Sequence, residues 1–145
     1  MGALSSLLGR KVGMDTMPLI YFLKPHPDYL PKVRPFFQAV ERGEIQVVTS
    51  IVTLLEVLVK PLKDQNAELV GRYRELLLDT EGISTIVVSA TIAEQAAALR
   101  ANHSIRTPDA IQLATAIEQK ASFFLTHDFR LPNLPNLRIV TVDDL

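Results

Sequence analysis

Apolar positions recur along this chain in two rhythms, and the alternation between them predicts its elements. Short runs rich in Val, Ile and Phe read as buried strands: Lys11 to Asp15, "EIQVVTS", "STIVVS", "SFFLT" and "LRIVTV". Between them lie longer segments whose apolar residues return every three or four positions. "TMPLIYFLK" reads as a helix with Pro18 near its start, and a second helix begins near Asp28 and is closed by Gly43. "SIVTLLEVLVKP" carries Ile51, Leu54, Leu55, Leu58 and Val59 at helical spacing, with Pro61 marking its end. The next helix runs from Asp64 to Asp79, with Leu69, Val70, Tyr73, Leu76 and Leu77 on one face. "ATIAEQAAALRANH" and "TPDAIQLATAIEQKA" are two more, and "LPNLPN" is a loop before the last strand. Strands alternating with helices predict an α/β fold on a central, mainly parallel sheet.

Composition narrows the chemistry. At 145 residues, one compact domain is expected over residues 1–145, with 1–10 as an N-terminal extension to which no role attaches. No apolar run reaches the length of a membrane span, and the opening "MGALSSLLGRKVGMD" lacks a signal-peptide core and cleavage site, so a cytoplasmic protein with no membrane partner is expected. The absence of cysteine removes disulfides, thiolate zinc sites and Cys nucleophiles together, leaving oxygen and histidine as ligands. A net charge of −1 argues against a pure RNA-binding module, and less against a nuclease, whose bound metal reverses the sign locally.

Four carboxylates sit where an α/β fold keeps its ligands. Asp15 and Asp128 each follow a strand, and Glu56 lies two turns into the helix after the second strand. Asp109 stands in the first turn of a helix, behind Thr107 as N-cap and Pro108 at the first helical position. With parallel strands, all four face one crevice at the carboxyl edge of the sheet. Each also has a plainer reading. Asp15 or Thr16 caps a helix, Asp128 is a turn acid, Asp109 complements a helix dipole, and Glu56 shares a solvated face with Thr53 and Lys60. Those readings do not account for the convergence. Four carboxylates in one crevice repel unless a cation joins them, and hard oxygen donors without spaced histidines suit Mg²⁺ or Mn²⁺. Such ions support in-line hydrolysis of a phosphodiester, which is nuclease chemistry.

The segments "MDTMPLIYFL", "TSIVTLLEVL", "TPDAIQLATA" and "LTHDF", in this order and at these intervals, resemble the PIN-domain ribonucleases, especially the VapC-type toxins of toxin–antitoxin pairs. The resemblance covers nearly the whole chain from Val12 onward. It implies a single α/β/α domain, a Mg²⁺ or Mn²⁺ site and an RNA substrate. Matched motif by motif, Asp15, Glu56, Asp109 and Asp128 fall on the family's acidic quartet as metal ligands and catalytic residues, and Thr126 on its usual hydroxyl residue. Two positions depart from the common pattern: Met17 and His127 each stand where Asn is frequent. His127 is set aside as an exposed loop residue, and Arg106, Arg130 and Lys60 are candidates for RNA phosphates.

The resemblance also implies a homodimer and an antitoxin partner. The apolar positions Tyr29, Phe36, Phe37, Tyr73 and Leu76 suggest a groove for an amphipathic antitoxin segment, which would carry an Arg or Lys against the acids. Two other α/β readings fail on the residues. A dehalogenase-type phosphatase needs a second Asp where Met17 stands, and a receiver domain needs a phosphoacceptor Asp that "STIVVSATIAE" lacks. The competing function is a PIN-like RNA-binding or regulatory module with little or no catalysis.

Overall fold

The computed structural model describes residues 2–128 and 130–145, so Met1 of the leading segment and Phe129 of "LTHDF" lie outside it. Five strands form one sheet: β1 (Lys11–Met14), β2 (Gln46–Ser50), β3 (Ile83–Ile86), β4 (Phe123–Thr126) and β5 (Arg138–Thr141). Their order is β3-β2-β1-β4-β5, and every neighbouring pair is parallel. The helices are α1 (Leu4–Leu7), α2 (Thr16–Leu23), α3 (Leu30–Glu41), α4 (Ile51–Lys63), α5 (Ala67–Asp79), α6 (Ala90–Asn102) and α7 (Thr107–Glu118), and a 3₁₀ turn covers Val142–Asp144. The expected α/β class with a parallel sheet is therefore the observed one.

Successive strand residues point to opposite faces, and here both faces are covered, which is why the strands read as continuous apolar runs. Val12, Met14, Val47 and Leu125 pack with Leu19, Phe36, Phe37, Tyr73 and Leu77 of α2, α3 and α5. Their neighbours Val48 and Phe124 pack the other way, with Leu113 and Ala116 of α7. Helix α6 lies against α7 through Ile92, Ala96, Ala110 and Ala114, where small side chains let the helices approach. Gly13 admits α7 to the sheet: a Cβ there would stand 2.6 Å from Ala116 Cβ and 2.9 Å from Phe124 Cδ1. That contact fixes the height of α7 over β1, and with it the position of Asp109. The leading segment joins the core too. Leu7 is fully buried, the Ala3 N–H donates to the Asp144 carbonyl at 2.6 Å, and the Gly9 N–H donates to the Glu44 carbonyl at 2.7 Å.

Several sequence expectations are corrected by the packing. Gly43 does close α3, at φ +76° as the left-handed residue of a Schellman end whose bonds run from the Gly43 and Glu44 N–H groups to the Val40 and Ala39 carbonyls. The helix, however, begins at Leu30 rather than Asp28 and runs through Pro35. Helix α4 continues past Pro61 to Lys63, because a proline in the last turn removes one hydrogen bond and the buried ring packs inward. Of "STIVVS" only Ser84, Thr85 and Ile86 are strand, and β3 begins one residue earlier at Ile83. Its partner β2 ends at Ser50, opposite Ile86, so Val87 and Val88 have no ladder to join and are exposed. Thr107 is not the N-cap of α7; Arg106 is, and the Thr107 hydroxyl instead accepts from Arg100 Nη1 at 2.9 Å.

The antitoxin groove expected over α3 and α5 is not there. Phe36, Phe37 and Tyr73 are buried in the core beneath the sheet, and Tyr29 and Leu76 are half-buried against the same cluster. The reading of α4 is corrected in part, since Leu54 and Leu58 pack half-buried on the core while its other positions differ. Thr53 is fully buried, while Leu55, Val59 and Leu62 are exposed at 65%, 46% and 60%. Lys60 pairs with Asp64 at 3.0 Å, away from the crevice.

Candidate active site

The strand order creates a crevice. From β1 the chain builds outward through β2 to β3, then crosses back to place β4 on the other side of β1. In open parallel sheets, ligands bind above the carboxyl ends of the strands at such a reversal. Asp15 follows β1, and Asp128 follows β4 by two residues. Glu56 lies in the second turn of α4, the helix that leaves β2. Helix α7 precedes β4 and returns to the start of that strand, so its first turn, with Asp109, arrives at the same edge. The four acids line one cavity of about 670 Å³, together with Thr16, Met17, Arg106, His127 and Arg130.

Each acid has a hydrogen-bonding or ionic partner, and two of these partners are shared. Asp15 is the N-cap of α2, with Oδ1 accepting the Thr16 N–H at 2.7 Å and Oδ2 accepting the Thr126 hydroxyl at 2.8 Å. Burial pushes its carboxyl above the usual range, the charges of Asp109 and Glu56 push the same way, and the two hydrogen bonds pull back. Thr126 is fully buried beneath Asp15 rather than in the cavity wall, and its oxygen also accepts the Asp128 N–H at 3.0 Å. One hydroxyl thus links the two acids that follow β1 and β4. Glu56 Oε1 accepts the Thr16 hydroxyl at 2.8 Å. Asp109 faces Arg106 Nε at 3.5 Å. Asp128 accepts the Arg130 Nε at 3.0 Å and the Arg130 N–H at 2.8 Å, and these bonds hold its carboxyl below the usual range.

These partners decide how a divalent ion would meet the site. Among the described residues, no three Asp, Glu, His or Cys side chains are gathered at ligating distance. The donor set nevertheless suits Mg²⁺ or Mn²⁺: four carboxylates converge on one cavity, and two of them raise the proton affinity of a third, a penalty that a cation relieves. The arginines partly neutralise the outer pair, Asp109 and Asp128, and leave Asp15 and Glu56 to polar neighbours.

Three residues escaped the sequence reading. His127 is no free loop side chain: it pairs with the Tyr21 hydroxyl and packs edge-on against Tyr21 and Tyr29, with ring centroids at 5.4 and 4.7 Å. Thr16 bridges Asp15 and Glu56, a role for which its place beside Asp15 is the only sequence signal. Gln112 stands behind Glu56 and is buried. It is a lone long polar side chain three positions after Asp109 in an apolar helix, and that spacing puts both on one face.

Comparison with solved structures places the fold among proteins of toxin–antitoxin complexes. A chain of a toxin–antitoxin complex from Klebsiella pneumoniae is 27% identical, with a TM-score of 0.69 over 93% of this chain and 99% of that one. A chain of VapBC2 from Rickettsia felis, bound to a DNA fragment from its promoter, shares the fold at 18% identity and a TM-score of 0.70, covering 90% and 98%. A chain of DNA-bound VapBC from Salmonella typhimurium shares it at 15% and 0.64, covering 92% and 98%. No curated protein matches the sequence. The profile of the PIN domain matches residues 14–137, from the end of β1 to the residue before β5, and the chain belongs to the PIN-domain family, with a VapC-like fold.

Proposed function

We propose that this protein is a divalent-metal-dependent endoribonuclease acting as the toxin of a toxin–antitoxin pair in the cytoplasm. PIN domains are in general nucleases that use divalent ions. The observation that carries the reading is the convergence of Asp15, Glu56, Asp109 and Asp128 on one cavity at the reversal of the strand order. Those four residues would hold Mg²⁺ or Mn²⁺, which when bound supplies the Lewis acidity that activates water and stabilises the leaving oxygen. Thr126 and the Thr16 N–H keep Asp15 in one orientation while its neighbours repel it. Arg106 and Arg130 stand at the rim, exposed at 80% and 90% along their side chains, where RNA phosphates can draw them off the acids. Water attack on phosphorus forms one P–O bond and breaks the bond to the ribose 3′ oxygen. The products are a 5′-phosphate and a 3′-hydroxyl.

The partner reading moves to α4. Leu55, Val59 and Leu62 form an exposed stripe at i, i+4 and i+7 that begins one residue from Glu56. Such a stripe suits the apolar face of an amphipathic segment, and the similar Klebsiella chain comes from a toxin–antitoxin complex.

Asp109→Asn tests the catalytic reading, since it removes charge and keeps size. RNA cleavage in Mn²⁺ should fall by about 10²–10³-fold, with the circular-dichroism spectrum unchanged, and end-labelling should find 5′-phosphates in the wild-type products. Cleavage at the wild-type rate, or 2′,3′-cyclic ends, would overturn it. The pairing of Asp109 and Asp128 with arginines favours a second reading, a PIN-like RNA-binding module whose acids are neutralised from within. On that reading the wild type binds RNA and cleaves none.

A further inference from the structure

The polar atoms behind the acids form one connected network, and the direction of each proton in it is determined. Thr49 Oγ1 lies 2.9 Å from the Met14 carbonyl, which only accepts, so the single hydroxyl proton of Thr49 is spent there. Thr53 Oγ1, 2.8 Å away, must then donate to Thr49. On the other branch, the Thr16 hydroxyl donates to Glu56 Oε1 at 2.8 Å, so Thr16 spends its proton on Glu56. Thr16 and Thr53 therefore offer only lone pairs to a third group. That group is the Gln112 amide, whose Nε2 lies 3.0 Å from Thr16 Oγ1, 2.9 Å from Thr53 Oγ1 and 3.3 Å from Glu56 Oε1. Gln112 is 2% exposed, and both branches start from its NH₂.

We propose that Gln112 is a positioning residue for Glu56. Its two amide protons go to Thr16 and Thr53, and by orienting Thr16 it directs that hydroxyl's proton onto Glu56 Oε1, so the carboxylate is presented to the cavity against the repulsion it shares with Asp15. The network's hydrogen bonds fall on Oε1, and Oε2 is left for a cation. A neutral amide suits this place: it supplies two protons without adding the charge that would compete with the metal. Partners behind a metal ligand set its orientation and commonly change affinity when removed.

The inference rests on the metal-dependent reading above, and Mn²⁺ binding, followed by the electron paramagnetic resonance of the free ion, tests it without using activity. Gln112→Met should weaken Mn²⁺ binding by about 10–100-fold. In a Glu56→Gln background the same change should alter it by less than about twofold, because the two residues act as one unit. Thr49→Val cuts the branch that leads away from Glu56, and should lower the melting temperature while leaving Mn²⁺ binding within about twofold. Thr16→Val severs the Glu56 branch nearer the carboxylate and should reproduce the Gln112→Met loss, which keeps the question answerable if that variant does not fold. Unchanged Mn²⁺ binding in Gln112→Met or Thr16→Val, or an equal loss in Thr49→Val, overturns the positioning role and leaves the nuclease reading standing. A wild type that binds no Mn²⁺ overturns the metal-dependent reading and this inference together.

Discussion

Asp15 carries two burdens that pull against each other: it caps α2, which favours its charge, and it is buried beside two other acids, which opposes it. Burial prevails, so its carboxyl titrates higher in the folded chain than in the unfolded one. A group raised in this way contributes stability below its unfolded value, and the contribution is lost as pH rises through the folded value. With chelator present, the wild type should therefore lose stability between acidic and neutral pH through this residue. Asp15→Asn should flatten that dependence and melt higher at pH 7, as read by thermal denaturation across pH; added Mn²⁺ should raise the wild-type midpoint and not the variant's. A variant that melts lower at pH 7 in chelator would show capping, not burial, to dominate. The residue's importance was legible because an acid directly after a strand is visible in sequence. Thr16 and Gln112 left only the faint signals of their spacing from Asp15 and Asp109, since their roles come from distances between α2, α4 and α7.

Helix α4 shows why periodicity can name an element and still misassign its faces. Leu54, Leu55, Leu58 and Val59 are apolar at helical spacing, yet the fully buried positions are Thr53, Val57 and Pro61, and of the four only Leu54 and Leu58 pack on the core. The buried face is partly polar because its first turns back onto the site, where Thr53 and Glu56 meet Gln112. An apolar-in rule therefore groups Leu55 and Val59, which are exposed, with Leu54 and Leu58, which pack on the core, and passes over Thr53. The strands show the complementary success: parallel strands buried on both faces give unbroken apolar runs that sequence detects, apart from ends set by a partner's length, as at Ile86. The exposed stripe makes a prediction of its own. Leu55→Glu with Leu62→Lys changes only solvent-facing positions, so stability should stay within about 0.5 kcal/mol per site, while copurification with a coexpressed antitoxin should be lost. If the variant still copurifies, the antitoxin docks elsewhere. If the free wild type is dimeric by size exclusion and the variant monomeric, the stripe joins two copies of this chain instead.

For the molecule as a whole, the contrast is between a nearly neutral chain, at a net charge of −1, and a cavity in which acids outnumber arginines. A polyanion has no electrostatic reason to approach such a cavity unless cations occupy the acids first, and that occupation frees Arg106 and Arg130 for the polyanion. Metal and RNA should thus bind with positive linkage through the arginines. Each phosphate neutralised on a single strand contributes about 0.7 to the slope of log affinity against log salt. With Ca²⁺ in place of Mg²⁺ to suppress cleavage and all four acids kept, binding of a fluorescein-labelled single-stranded RNA should show that slope fall by about 0.7 for each of Arg106→Gln and Arg130→Gln. Affinity should weaken to a similar extent across RNA sequences, because phosphate contacts position a strand and do not read its bases. Unchanged slopes in both variants would mean that the arginines stay on Asp109 and Asp128 while RNA binds, which is the arrangement of a module that has closed its own metal site.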